Sequence, residues 1–167
     1  AHQRRFFAAN ERAGAQTNVN VKVEIGYEDI CERLNAALPN ELRALHAAAP
    51  VMEPGNICWA DYQLSFYDKD PAVEEALDRL LAAEHLPVRK KTKKGEQEID
   101  LKEKMTIRNV IRTTDKLVLE VRLPAGGTQN WSPMLLTGAY NELLGREPYW
   151  TGITRTAILA EDFQDFC

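Results

Sequence analysis

Between Ala60 and Leu159 the spacing of apolar residues switches repeatedly between strand and helix periods, and few folds accommodate the resulting order. Ala60 to Tyr67 alternates, with Tyr62, Leu64 and Phe66 on one face against Asp61, Gln63 and Ser65, as in a strand with one face buried. Asp70-Pro71 is a helix start, with Asp as N-cap and Pro at the first helical position. Val73, Ala76, Leu77, Leu80 and Leu81 then fall on one helical face. His85-Leu86-Pro87 ends that helix. Leu101 to Met105 reads as a single helical turn, and Thr106 to Thr113 as a strand with an irregularity near Asn109. Leu117, Leu119, Val121 and Leu123 point inward in the clearest strand of the chain, with Glu120 and Arg122 outward. Ser132-Pro133 opens a second helix whose apolar face is Leu135, Leu136, Ala139, Tyr140, Leu143 and Leu144, and Gly145 closes it. Gly152 to Leu159 is the closing strand.

The order is β-α-β-β-α-β, which predicts an α+β, ferredoxin-like unit over residues 60–160, its two helices covering one face of an antiparallel sheet. Its core is expected to run through Leu64, Phe66, Leu77, Leu80, Leu119, Val121, Leu136 and Leu143. A partial second β-α-β unit precedes it over residues 19–50. There Val19, Val21, Val23 and Ile25 alternate, Tyr27 to Leu38 is amphipathic, and Leu42 to Ala49 reads as a returning strand. Three such elements bury too little surface to stand alone, so they need a partner sheet. Residues 51–59, with Pro54 and Gly55, read as a linker. Residues 1–18 have no sustained period and are expected to form a loosely held arm, and 161–167 a loose acidic tail.

One stretch exceeds the needs of this fold. Val88 to Leu101 reads VRKKTKKGEQEIDL, and Arg89, Lys90, Lys91, Lys93 and Lys94 crowd ahead of Gly95. Beyond it Glu96, Glu98 and Asp100 alternate with Gln97, Ile99 and Leu101. A Lys-Gly pair between two runs of period two predicts an extra hairpin, because Gly supplies the positive φ of a tight turn. Two readings stand side by side. The arms neutralise one another through cross-strand pairs, each worth roughly 0.2–1 kcal/mol, or the surplus cations hold phosphate.

Composition excludes several classes. A net charge of −4 rules out a polycation that coats nucleic acid, so such binding must be local. Cys31, Cys58 and Cys167 are odd in number and far apart, against a disulfide framework. With no CxxC, and with His2, His46 and His85 in unrelated contexts, no metal, cluster or other cofactor is expected. No apolar run reaches the length of a membrane span and no signal-peptide core opens the chain, so no membrane contact and a cytoplasmic location are expected. The first residue is Ala, so the chain reads as a piece of a longer protein. The carboxylate pairs Glu74/Glu75 and Glu161/Asp162 fall on exposed faces, and no nucleophile elbow occurs. No catalytic residue is assigned, and the domain is expected not to catalyse by itself.

Four blocks, LNAALPNELRAL (34–45), VRKKTKKGEQEIDLK (88–102), LEVRLPAGG (119–127) and TRTAIL (154–159), resemble the bacterial radical-SAM-linked protein family. This is a domain of unknown function found beside, or fused to the C-terminus of, radical SAM proteins. The resemblance covers roughly residues 19–160 and is most specific in the KKTKKG-plus-acid block. The helix and strand that open the family have no counterpart in residues 1–18. The resemblance implies a radical SAM protein as partner, in trans or as a fusion.

Three further features are ambiguous. Gly126-Gly127-Thr128 joins a strand to a helix, either as a plain approach turn or as a loop offering backbone N–H groups to an anion. Arg155 projects from the closing strand, as a cross-strand partner or a phosphate ligand. Trp59, Trp131 and Trp150 flank elements, as rim packing or as a platform for bases. The functional expectation is an accessory domain of a radical SAM system. It binds RNA or another phosphate-bearing substrate through Arg89, Lys90, Lys91, Lys93, Lys94, Gly126, Gly127, Thr128 and Arg155. The alternative is a protein-docking module for the radical SAM partner, without nucleic-acid contact.

Overall fold

The structure, a computed structural model, describes residues 2–10, 13–22, 24–40, 42–49, 51–68, 70–92, 95–148 and 151–166, with backbone alone for 2–10, 13–21 and 151. It is mixed α+β, and the chain divides into two compact units, one ending at Pro54 and the other spanning Gly55–Phe166.

The first unit contains β1 (His2–Asn10), β2 (Ala13–Val21), α1 (Tyr27–Ala37) and β3 (Arg43–Ala48). Its sheet has the order β2-β1-β3 and is antiparallel throughout. The arm expected over residues 1–18 is thus mostly paired strand. β1 carries Arg4-Arg5 and adjacent Phe6-Phe7, so no period of two marks it, and its pairing comes from backbone hydrogen bonds to strands on both sides. The strand expected over Val19 to Ile25 instead spans Ala13–Val21 and has ended before Ile25. α1 buries Ile30 against Ala47, with Ile25, Cys31 and Leu34 packed around them. Asn35 fastens the helix to β3 by donating to Ala44 O (3.0 Å) and accepting from Ala44 N (2.7 Å).

The second unit contains β4 (Trp59–Phe66), α2 (Pro71–Ala82), β5 (Pro87–Thr92), β6 (Gly95–Asp100), β7 (Thr106–Arg112), β8 (Leu117–Pro124), α3 (Pro133–Leu144) and β9 (Thr151–Leu159). Four strands form an antiparallel sheet in the order β7-β8-β4-β9, and β5 pairs with β6 alone. The start signals act as expected: Asp70 accepts from Ala72 N (3.0 Å) and Ser132 from Met134 N (3.2 Å). Gly145 ends α3 at φ 80°, where a Cβ would be strained. The single turn at Leu101–Glu103 is present, and the register of β7 against β8 shifts between Ile107 and Asn109.

Both helices feed one apolar cluster. Leu64, Phe66, Leu77, Leu80, Leu119, Val121 and Leu136 lie in it fully buried, and Leu143 packs half-buried at its margin. Phe66 meets Tyr140 at 4.6 Å between ring centres, and Tyr140 Oη donates to Val73 O at 2.7 Å. That hydroxyl joins α3 to α2, and burial pushes its pKa up to about 12.

Two expectations on the opposite face fail for one reason. Arg122 is 7% exposed instead of standing in water. In register with it across the β4–β8 pair, Asp61 accepts from its Nε (2.6 Å) and Nη2 (2.8 Å). The Phe163 ring covers the same guanidinium at 4.5 Å. The tail that delivers Phe163 is therefore not loose. Ala160 N donates to Gln164 O, Phe163 N to Ala160 O and Phe166 N to Ile158 O, and Phe163 takes φ 63°. A period of two shows which face a residue occupies, not what covers that face.

Candidate functional site

The hairpin β5–β6 forms in the register Val88↔Ile99, Arg89↔Glu98, Lys90↔Gln97, Lys91↔Glu96 and Thr92↔Gly95. Gly95 has φ 124°, a conformation reserved for glycine, and Thr92 Oγ1 donates to Gly95 O at 2.8 Å. Val88 and Ile99 pack on the apolar cluster, which anchors the base. Alternation then places Lys90 on the same side as Val88, opposite Gln97, and Arg89 and Lys91 on the other side, opposite acids. Lys93 and Lys94 lie outside the described residues.

The acids do less neutralising than their number suggests. Asp100 is committed to the base of the hairpin, accepting from Leu86 N (2.8 Å) and Lys102 N (2.9 Å), with His85 Nδ1 at 2.7 Å. The Leu86 amide first, then His85 and the Lys102 amide, hold its carboxyl below the usual carboxylate range. Glu96 and Glu98 remain, and among the described residues neither forms an ion pair with Lys91 or Arg89. Two carboxylates thus face an arm that the sequence supplies with five cations. Beside it an open groove of about 570 Å³ runs between the hairpin and α3, bordered by Val88, Arg89, Glu98, Met134, Leu135 and Glu142.

The remaining candidate residues stand elsewhere. Gly126, Gly127 and Thr128 wall a second open cleft of about 630 Å³ at the start of β4, with Trp59, Lys104 and Gln129. α3 begins only at Pro133, so a turn of backbone separates the loop from the helix end that would favour an anion. Gly126 is needed for a close approach, since a Cβ there would lie 2.7 Å from Ile57 O. Arg155 is exposed on the outer strand β9, in register with Tyr62. The candidate residues therefore fall on three elements: the hairpin, the loop after β8 and strand β9. Trp131 is buried at 2% exposure and belongs to the core, Trp59 is half-buried, and Trp150 lies outside the described residues.

Ion pairs that periodicity does not signal hold the other ends of the unit. Arg146 spans Asp68 (2.7 Å) and Asp70 (2.8 Å) at the start of α2, and Arg112 spans Glu74 and Asp78, both at 2.7 Å. Spacing within α2 could have suggested the second of these, because residues four apart share a helix face. Among the described residues, no group of three or more His, Cys, Asp or Glu side chains is placed to hold a metal ion. Nor is any helix among them long and apolar enough to cross a membrane.

Residues 14–133 match the model of a family described as an uncharacterized protein conserved in bacteria (DUF2344). The match takes in the hairpin and the Gly126–Thr128 loop and stops before Arg155. Neither the curated proteins nor the solved structures yield a match.

Proposed function

The chain belongs to this uncharacterized family conserved in bacteria (DUF2344), and from that premise we propose that it is a non-catalytic accessory domain that binds RNA through its basic hairpin. The carrying observation is the commitment of Asp100 to the hairpin base. It leaves Arg89, Lys90 and Lys91 facing only Glu96 and Glu98, with no ion pair formed among these described residues. Like charges held this close repel, and an anionic partner relieves that cost. With a net charge of −4 the chain as a whole does not attract a polyanion, so the contact rests on a local patch such as this arm. The resemblance to radical-SAM-linked proteins supplies the setting: a cytoplasmic partner enzyme, separate or fused, to which the domain presents its RNA. The strand order β7-β8-β4-β9, with both helices in one core, supports reading Gly55–Phe166 as ferredoxin-like.

One observation favours a second reading. Met134 is 64% exposed on the groove beside the hairpin, which suits a protein-docking surface for the radical SAM partner. Salt separates the two, since phosphate binding releases counterions and apolar docking does not. Bulk tRNA titrated into the parent and into Arg89→Ala/Lys90→Ala/Lys91→Ala at two salt concentrations is the test. RNA binding predicts a parent affinity that falls with salt and a variant with weaker binding and a shallower slope. No binding at low salt leaves the docking reading in its place.

A further inference from the structure

The cleft at the start of β4 has a composition that the hairpin lacks, and nothing in the reading above requires it. Its volume of about 630 Å³ falls within the range of small-molecule sites, roughly 300–1,000 Å³. One wall is apolar and aromatic, with half-buried Trp59 and buried Met105. Trp59 is steadied by Phe163, ring centres 5.5 Å apart and tilted by 50°. The other wall is polar. Lys104 Nζ donates to Gln129 Oε1 at 2.6 Å, which orients that amide and turns its NH₂ into the donor on offer. Glu103 and Glu161 add acceptors.

Charge decides what kind of ligand fits. The carboxylates on the walls are Glu103 and Glu161 and the one ammonium is Lys104, which donates to Gln129; Cys58 adds a thiol. Two carboxylates against one ammonium leave the walls net negative, which disfavours a phosphate or a carboxylate. An aromatic wall facing donors and acceptors suits a flat, uncharged ring with hydrogen-bonding edges. We propose that this cleft binds an uncharged planar heterocycle of the nucleobase class, with Trp59 as its stacking surface and Gln129 as its hydrogen-bond donor.

The two glycines of the loop serve this site differently. Gly126 lets the loop close on Ile57, whereas a Cβ at Gly127 would meet nothing within 4 Å. Gly127 also lies outside the positive-φ region, so a larger residue is tolerated there and projects into open space. Gly127→Leu therefore adds bulk at the wall of the cleft without disturbing the fold.

Titration calorimetry with adenosine, guanosine, cytidine and uridine tests the proposal on the full chain. The parent should bind at least one nucleoside. Gly127→Leu and Gln129→Ala should weaken that binding about tenfold or more with Tm unchanged, and the matching 5′-monophosphate should bind no tighter than the nucleoside. Absence of nucleoside binding at millimolar ligand overturns the proposal, as does unchanged affinity in Gly127→Leu or a monophosphate preferred about tenfold. The base can arrive free or within a strand. A single-stranded oligoribonucleotide whose affinity falls in both Gly127→Leu and the hairpin variant supports the strand as source, and one indifferent to Gly127→Leu supports the free nucleoside. Because nucleoside binding does not involve the hairpin, this test and the tRNA titration fail independently.

Discussion

Asp61 grips the guanidinium of Arg122 with two hydrogen bonds, 2.6 and 2.8 Å long, across the middle of the four-stranded sheet. The Arg122 side chain is 9% exposed and that of Asp61 19%, and the Phe163 ring lies against the Arg122 guanidinium. The hydrogen bonds that Arg122 donates to Asp61 hold the Arg122 pKa above its usual value. Removing one member strands the other in a dry place. Asp61→Ala is expected to destabilise the fold by about 3–5 kcal/mol, whereas Asp61→Leu/Arg122→Met should recover most of that loss. Urea denaturation of the three proteins measures both, and a double variant as weak as the single one would contradict this account.

Gly138 sits inside α3, exposed, where an added Cβ meets nothing within 4 Å. Glycine in a helix interior costs backbone entropy and offers no side chain to pack. Gly138→Ala is expected to stabilise the protein by about 0.5–1 kcal/mol. A rise in Tm is the readout, and a fall would mean that the groove beside the hairpin is too narrow for a methyl group.

Asp100 carries a pH dependence whose sign can be worked out. Its carboxyl is held below the ordinary value of 3.8, first by the Leu86 amide and then by His85. The folded chain therefore binds fewer protons than the unfolded chain near pH 4. The stabilisation is fully present above the unfolded value and is lost as the pH falls through the folded one. Asp100→Ala should thus be less stable than the parent at pH 7, with the gap narrowing below about pH 4. Thermal melts of both proteins from pH 7 downward follow the gap, and a gap that widened in acid would reverse the sign.

The parts of this fold that are legible in the sequence are those in which local chemistry and periodicity agree. Asp70-Pro71 and Ser132-Pro133 set both helix starts, Gly145 sets one end, and Asn109 marks the irregular strand. β1 escapes such a reading because Arg4-Arg5-Phe6-Phe7 has no alternation, and its order comes from backbone pairing with β2 next to it and with β3, distant in sequence. Arg122 looks solvated in sequence because its cover, Phe163, comes from the far end of the chain. Asp100 counts among the hairpin's acids by spacing alone, because side-chain bonds to nearby amides leave no mark on a period of two. The cleft at Trp59 is assembled from loops around residues 57, 104, 127 and 161. Gly126-Gly127-Thr128 stands out in the sequence as a plain approach turn or an anion loop, and Trp59 as rim packing or a platform for bases, but nothing in the spacing brings them together.

If the hairpin's surplus charge holds phosphate, the salt slope of RNA binding registers it. Arg89→Ala/Lys90→Ala/Lys91→Ala removes three of the five cations of the arm and leaves Val88 and Ile99 to hold its base. The slope of log affinity against log salt should become shallower by about 0.7–0.9 for each phosphate the variant no longer neutralises, with affinity reduced at every salt concentration. Parent and variant with equal slopes, or no RNA binding by the parent even at low salt, would contradict the proposal.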